Sequence, residues 1–240
     1  MQWQDKGIVL SSKKYGDHSL IIRFLTEEHG VYSGLVKYGL SKKQKFLYEP
    51  GNLLSISWVA RLPEHMGSFR CDTIKLYTSK VMGKSSQLGA LTSHCSLEQV
   101  FLPERERCKN IYNNSIKFIE QLSVDNDSWL YDYVRWEISF LEQLGYGLTL
   151  NKCAVTGKNN DLLYVSPKTG RAISKVAAGK WVNKLLPLPS FLINKEKDNK
   201  ILKTEFMKGI LLTGFFLSKY ADSVGVKLPY ARNFFINKIN

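Results

Sequence analysis

The stretch "LIIRFLTEEHGVYSGLVKY", residues 20–38, decides how the first third of the chain folds. Two runs rich in β-branched and aromatic residues, 20–26 and 31–38, flank a turn at Glu28-His29-Gly30. Runs of this kind, separated by a glycine-containing turn, are typical of two antiparallel strands. The stretch therefore predicts a β-hairpin.

Three further runs, residues 7–12, 52–60 and 68–77, have the same composition and are bounded by glycine and proline turns. Five short strands within about eighty residues favour a small closed barrel. We expect an OB-fold, the five-stranded barrel whose open face and loops take single-stranded nucleic acid. An SH3-like barrel fits the spacing nearly as well.

From about residue 84 the apolar period becomes helical. The clearest stripe has steps of three and four and consists of Trp129, Tyr133, Trp136, Phe140 and Leu144. We predict that Asp127 caps this helix and that Gly145 ends it. Weaker stripes cover residues 87–101, 107–122, 203–222 and 230–239. The chain is thus predicted to be an α+β multidomain protein, with a barrel domain at residues 1–80 and a helical domain at 81–240.

A loop-rich insert interrupts the helical domain at about residues 147–188. Zinc ribbons commonly space their ligands as Cys-x2-Cys, 15 to 20 residues and a second Cys-x2-Cys. The corresponding positions here are Cys153, Thr156, Ser174 and Ala177. Only one of the four supplies a zinc ligand, so we predict a degenerate zinc-ribbon-like insert without metal. We expect apolar contacts to stabilise its hairpin instead, from Leu162, Leu163, Tyr164 and Ile173.

The charge of the chain is strongly basic and unevenly distributed. The sequence has 34 Lys and Arg against 21 Asp and Glu, a net charge of +13. Residues 1–80 carry +5, residues 81–150 carry −3 and residues 151–240 carry +11. This balance favours a polyanionic partner, nucleic acid before an acidic membrane surface, although some basic proteins bind neither.

A basic cluster follows the third predicted strand. No acidic residue lies between His29 and Tyr48, and the lysines of this region can follow phosphates while an aromatic ring stacks on a base. For Phe46 we predict a place in the barrel core. The predicted DNA contacts are Lys13, Lys14, Arg23, Lys37, Lys42, Lys43, Lys45, Arg61 and Arg70. The alternatives are a solvated loop for the lysines and a solvent-facing strand surface for the arginines. We expect the carboxy-terminal lysines, including Lys195, Lys197, Lys200 and Lys203, to be solvated surface.

Patterns typical of enzymes are missing. The "GKS" at residues 83–85 has Thr78 where a phosphate-binding loop requires glycine, and no GxGxxG, HExxH or GxSxG pattern appears. We therefore predict neither catalytic residues nor a cofactor. The first residues are polar, and the apolar run at 209–217 is too short to span a membrane, so we expect a cytoplasmic protein with reduced cysteines.

Several segments resemble the RecO family of bacterial recombination mediators. The second half of the chain is similar to that family at "LGYGLTLNKCAVTG" (residues 144–157), "YVSPKTGRAIS" (164–174) and "LLPLPSFL" (185–192). The first half is similar at "SSKKYGDHSLIIRFLTEEHGVYSGLVKYG" (11–39) and "LYEPGNLLSISW" (47–58). The segments occur in the family's order, with Asp17 where members commonly have glutamate.

The resemblance implies an amino-terminal OB-fold and a helical domain with a zinc-ribbon-like insert. It also implies a protein that binds single- and double-stranded DNA, anneals complementary strands and, with RecR, helps to load RecA onto DNA coated by single-stranded-DNA-binding protein. The alternative is an RNA-binding OB-fold protein associated with translation, which fold and charge alone do not separate from a DNA mediator.

Overall fold

The computed structural model describes residues 1–124, 126–193 and 202–239. Its strands are β1 (Gln2–Tyr15), β2 (Ser19–Thr26), β3 (Gly30–Val36), β4 (Leu53–Val59), β5 (Ser68–Lys75), β6 (Leu162–Val165), β7 (Ala172–Ser174) and β8 (Leu186–Pro187). Its α-helices are α1 (Tyr77–Val81), α2 (Ser85–Phe101), α3 (Lys109–Leu122), α4 (Trp129–Gln143), α5 (Lys175–Ala178), α6 (Lys203–Ser223) and α7 (Tyr230–Ile239). Within these ranges, no helix is both long enough and apolar enough to cross a membrane.

Strands β1 to β5 form a closed barrel in the order β1-β2-β3-β5-β4. The long strand β1 closes it, because its first half pairs with β4 and its second half with β2. The register of β1 against β2 shifts between Val9 and Ser11, where a bulge bends the strand from one partner to the other. All five predicted strands are present, and β1 is longer than the predicted 7–12 because its charged ends also pair.

The barrel core is built from the inward-facing side of each strand. Successive residues of a strand point to opposite faces, so every second residue points inward and the apolar members of each run meet inside. The core side chains are Val9, Leu20, Ile22, Phe24, Val36, Tyr48, Leu54, Ile56, Trp58, Ala60 and Phe69.

Helices α1 to α3 and α7 belong to the same compact unit as the barrel, which comprises residues 1–124 and 228–240. Helix α7 packs on α2, where Phe235 is fully buried and a Cβ at Gly89 would lie 3.3 Å from its ring. A small residue at Gly89 therefore permits the close approach of the two helices. The chain changes from strands to helices near residue 80, where we expect the domain boundary. That this change is also a domain boundary stays a prediction.

Residues 125–227 form the second compact unit. Four of the five residues of the predicted stripe on α4 are confirmed as core, since Trp129, Tyr133, Trp136 and Phe140 are buried, whereas Leu144 is half-buried at the C-cap. The predicted cap is wrong: the N-cap of α4 is Ser128, and no side chain caps the helix there. Asp127 instead contributes its carbonyl oxygen, which accepts a hydrogen bond from the Leu130 N–H over 3.2 Å.

The insert contains a three-stranded antiparallel sheet in the order β7-β6-β8. Leu162 and Ile173 are buried in it as predicted, and Tyr164 is half-buried. The expectation for Leu163 is wrong, because this side chain is 44% exposed. Neighbouring residues on a strand face opposite sides, so burial of Leu162 turns Leu163 outward.

Candidate nucleic-acid interface

Two strand connections lie together at one end of the barrel, with lysines on the strand before the first connection and within the second. The turn between β1 and β2 follows Lys14, and a second loop follows the end of β3 at Val36. The register pairs Lys14 with Leu20 and Leu20 with Val36, so both loops leave neighbouring strand ends. The Leu40 N–H also donates a hydrogen bond to the His18 carbonyl oxygen over 3.2 Å, which joins the loops directly.

Six of the predicted DNA contacts gather at this place, and we refer to them as the lysine end: Lys13, Lys14, Lys37, Lys42, Lys43 and Lys45. All six side chains are exposed. Within the described ranges, no acidic side chain forms an ion pair with any of them. Their charge is therefore available to phosphates.

Three exposed aromatic side chains accompany these lysines. Tyr15 is 56% exposed, Tyr38 69% and Phe46 51%. The rings of Tyr38 and His18 lie roughly parallel, with centroids 6.5 Å apart. The sequence reasoning missed Tyr15 and Tyr38, although each directly follows a predicted lysine, the pattern that places a stacking ring beside a phosphate contact.

The prediction that Phe46 lies in the core is wrong. Residues Lys45–Tyr48 form a 3-10 helix, in which three residues make one turn. Tyr48 faces the barrel and is 3% exposed, so Phe46 is directed away from it.

A buried asparagine fixes the end of the lysine-bearing loop. Asn52 is 1% exposed, and its Nδ2 donates to the carbonyl oxygens of Phe46 and Leu47 over 2.9 and 3.1 Å. Its Oδ1 accepts a hydrogen bond from the Thr78 N–H over 3.1 Å. These hydrogen bonds hold the end of the loop in one position. The loop therefore loses less conformational entropy when it binds a ligand.

Arg23 lies on β2 but is engaged within the protein. Its Nη2 donates to the Leu102 carbonyl oxygen over 3.3 Å, and its Nη1 lies 3.7 Å from the Glu104 carboxylate. The side chain of Arg23 is only 24% exposed. We therefore leave Arg23 out of the proposed interface.

The segment after α2 covers part of the outer face of β2 and β3. The backbone of Glu104 forms a parallel β-bridge with Val31. The Glu104 carboxylate accepts a hydrogen bond from the Ser33 hydroxyl over 2.7 Å. The approach is close at Gly30, where a Cβ would lie 1.8 Å from the Glu106 carbonyl oxygen and φ is +73°. Part of this strand face is thus in contact with the chain itself, whereas the six lysines at the barrel end are exposed.

Arg61 and Arg70 are both exposed. They belong to the β4–β5 loop and to β5, the strand that follows β3 in the barrel order. Arg61 is the second residue of the loop between β4 and β5, and Arg70 lies on β5 opposite Ser57. Strand β5 starts beside the end of β3, because the Leu35 N–H donates to the Gly67 carbonyl oxygen over 3.1 Å. This loop is fixed by Arg105, whose guanidinium donates to the carbonyl oxygens of Pro63, Glu64 and His65.

Of the four carboxy-terminal lysines that we expect to be solvated, the structure describes one. Lys195, Lys197 and Lys200 lie outside the described residues. Lys203 is the first residue of α6 and is exposed, as the expectation of solvated surface requires.

The four positions that the sequence compares with zinc-ribbon ligands, which we refer to as the zinc-ribbon positions, lie in two similar turns. The Cys153 sulfur accepts N–H hydrogen bonds from Thr156 and Ser174 over 3.5 and 3.3 Å, and the Ser174 hydroxyl accepts one from the Ala177 N–H over 3.4 Å. Burial raises the pKa of the Cys153 thiol, but these hydrogen bonds outweigh it and lower the pKa to about 6. One thiolate with hydroxyl and methyl neighbours does not fit zinc. In the described part of the chain, no three His, Cys, Asp or Glu side chains form a metal-binding group.

Comparison with known proteins agrees with this architecture. The family model "Recombination protein O N terminal" matches residues 1–77, and "Recombination protein O C terminal" matches residues 85–224. A DNA repair protein RecO of Ruegeria sp. (strain TM1040) is 39% identical over 241 residues, which cover 100% of this chain and 98% of that protein. A DNA repair protein RecO of Wolbachia sp. subsp. Drosophila simulans (strain wRi) is 38% identical, with 99% of this chain and 100% of that protein covered. With both domain models in order and such identity over its full length, the chain belongs to the RecO family of DNA repair proteins.

Proposed function

We propose that this protein binds DNA through the lysine end of its barrel and acts as a mediator of DNA repair and homologous recombination. The observation that carries the proposal is that strand register and the Leu40–His18 hydrogen bond join the β1–β2 turn to the β3–β4 loop, where six exposed lysines and the exposed Tyr15 and Tyr38 lie at one end of the barrel. Phosphates can bind the ammonium groups while unpaired bases stack on the rings.

We assign the barrel as an OB-fold. Two features support this assignment over an SH3-like barrel: the strand order β1-β2-β3-β5-β4, and a long first strand shared between two partners. OB-folds bind oligonucleotides with the face of their second and third strands and with the loops that join strands one to two and four to five. Because residues 102–106 contact part of that face here, we assign the larger share of binding to the β1–β2 turn and, in place of the β4–β5 loop, to the β3–β4 loop, which contains Lys37, Lys42, Lys43 and Lys45.

In the mediator role, the protein binds single- and double-stranded DNA and anneals complementary strands. With RecR it helps to load RecA onto DNA coated by single-stranded-DNA-binding protein. The family membership supports this role, and the sequence has no pattern that predicts catalysis. We accordingly propose a non-enzymatic protein that works in the cytoplasm.

For residues 147–188 we propose a zinc-ribbon-like insert that has lost its ligands. The three-stranded sheet β7-β6-β8 and the paired turns at Cys153 and Ser174 support it. Hydrogen bonds to the Cys153 sulfur and buried side chains such as Leu162 and Ile173 then stabilise the insert in place of a metal.

The test is a competition titration with the purified full-length chain. A labelled single-stranded oligonucleotide is bound first, and unlabelled single-stranded DNA or a structured RNA is then added. We expect single-stranded DNA to compete at lower concentration, and we expect neither nucleotide hydrolysis nor DNA cleavage with or without a divalent metal. Stronger competition by structured RNA, or cleavage of the DNA, would refute the proposal.

A further inference from the structure

Trp181 differs from the other tryptophans of the chain in its exposure. Trp58, Trp129 and Trp136 are 2 to 5% exposed, and Trp3 is partly buried against the barrel core. Trp181 is 52% exposed. Tryptophan has an apolar ring and one polar N–H group and is enriched at interfaces, so a half-exposed indole fits a binding surface.

The local fold gives Trp181 a defined orientation with two cations beside it. Ser174 caps the short helix α5, and a 3-10 helix follows at Gly179–Lys184. Side chains three apart in a 3-10 helix lie on the same side, so Lys184 lies over Trp181. The Lys184 and Lys180 ammonium nitrogens are 5.2 and 5.5 Å from the centroid of the indole ring.

The surroundings of this ring are basic. Residues 162–193 contain no Asp or Glu and have five basic side chains, which are Lys168, Arg171, Lys175, Lys180 and Lys184. Across the described ranges, neither Lys180 nor Lys184 forms an ion pair with an acidic side chain. Both ammonium groups thus contact the indole ring and no described carboxylate, and an anionic ligand that also presents a flat apolar surface can bind them together with the ring.

We propose that Trp181, Lys180 and Lys184 form a second site for single-stranded nucleic acid, in the second compact unit and separate from the lysine end. A base stacks on the exposed indole, and the phosphates on either side of that base contact the two ammonium groups. The proposal rests on the proposed function and deepens it, since annealing brings together two strands and this site supplies a second surface for one.

The experiment measures binding of a labelled oligothymidine to the full-length chain and its variants over a range of salt concentrations. Trp181→Ala is expected to weaken binding about 5- to 100-fold at fixed salt, the effect of removing one stacked base, and to leave the salt slope unchanged. Trp181→Phe retains a stacking ring and should keep most of the affinity. Val176→Ala is the matched control, because Val176 is 85% exposed on the neighbouring helix α5 and has no ring.

Lys180→Gln with Lys184→Gln provides an independent variant. For each phosphate that no longer binds an ammonium group, the slope of log affinity against log salt should become shallower by up to about 0.7. This inference would be overturned if both Trp181→Ala and the double lysine variant bound DNA like the wild type and kept its melting curve. That result would leave the proposed function intact. Wild type without measurable DNA binding would instead overturn the proposed function.

An acidic oligopeptide serves as the second probe. Affinity for this peptide that falls in Trp181→Ala, while oligothymidine binding stays at the wild-type level, would overturn the nucleic-acid assignment in favour of a protein partner. Loss of oligothymidine binding without loss of peptide binding supports it.

Discussion

The Leu40 N–H donates a hydrogen bond to the His18 carbonyl oxygen over 3.2 Å, and this contact joins two loops that are distant in sequence. The turn at residues 16–18 follows β1, which carries Lys13 and Lys14, and the other loop begins at Lys37, so strand register and this bond place two lysine groups side by side. The two lysine groups thus form one basic surface, because phosphates of one DNA strand can contact both of them at once.

The first prediction concerns the loop after Lys37. Changing Lys42, Lys43 and Lys45 together to glutamate should weaken binding to every single-stranded sequence alike, since phosphate contacts carry no base information. The salt slope should become shallower by up to about 0.7 for each phosphate that the variant no longer neutralises. Titrations of two unrelated oligonucleotides at several salt concentrations measure both effects.

A matched control separates this local effect from total charge. Lys80, Lys117 and Lys227 are exposed lysines far from the lysine end in sequence, and changing them to glutamate alters the net charge equally. The control should keep the wild-type salt slope, and both variants should keep the wild-type melting curve, because exposed substitutions shift stability by about 0.5 kcal/mol or less. Equal weakening of DNA binding in the two variants would show that only net charge matters.

The second prediction is that Arg23 stabilises the barrel and makes no contact with DNA. Arg23→Ala removes the hydrogen bond to the Leu102 carbonyl and the ion pair with Glu104, so urea unfolding should show a decrease in stability of about 1 to 3 kcal/mol. DNA affinity of the folded variant and its salt slope should stay unchanged. Arg70→Ala, at an exposed residue of β5, is the control with little expected effect on stability. A stable Arg23→Ala with reduced salt slope would return this arginine to the interface.

The strands and the long helices could be predicted from sequence because their signals are local. A run such as residues 20–26 needs only β-branched residues and a following turn, and the stripe on α4 needs only its own spacing. The predicted helix at 203–222 and the observed α6 (Lys203–Ser223) differ by one residue. In each of these elements, propensity and burial favour the same structure.

The parts that could not be predicted depend on contacts between distant residues. An arginine on a strand can face solvent or bind other parts of the protein. The partners of Arg23, Leu102 and Glu104, are about eighty residues away in sequence, so local spacing does not identify them. Phe46 is exposed because a 3-10 helix turns Tyr48 inward, a conformation without a sequence signature as clear as alternation. The clustering of the lysines depends on strand register, which the spacing of charges does not encode.

The third prediction is a pH dependence of stability that arises at Glu98. This side chain is fully buried in α2, where burial raises its pKa to about 8 although the Ser115 hydroxyl donates a hydrogen bond to it. His94 lies 3.4 Å away, and burial lowers the pKa of its imidazole. Both groups are therefore expected to be neutral in the folded protein at neutral pH.

For Glu98 the folded pKa lies above the unfolded value of 4.5. Its contribution to stability is thus fully present below pH 4.5 and is lost as the pH rises towards about 8. Glu98→Gln can still accept from Ser115 and does not titrate, so its stability relative to wild type should rise from pH 5 to pH 8 by a few kcal/mol. Urea unfolding at several pH values measures the difference, and parallel profiles for the two proteins would contradict this assignment.

The fourth prediction is that the protein contains no stoichiometric zinc and keeps its fold in chelator, because one ligand remains at the four zinc-ribbon positions. Since the turns at Cys153 and Ser174 share their hydrogen-bond geometry, Thr156→Cys, Ser174→Cys and Ala177→Cys together should create a site for about one zinc per chain. Elemental analysis and melting with and without chelator test both parts. Tightly bound zinc in the wild type, or none in the triple variant, would argue against a ribbon that lost its ligands.

The most direct test of the central claim is strand annealing. Complementary oligonucleotides are coated with the organism's own single-stranded-DNA-binding protein, and duplex formation is followed with no addition, with wild type, with the glutamate triple variant at Lys42, Lys43 and Lys45, and with the charge-matched control. We predict that wild type and control accelerate annealing and that the triple variant does not. Equal acceleration by the triple variant, folded and at the same concentration, would contradict the claim that the lysine end binds the DNA.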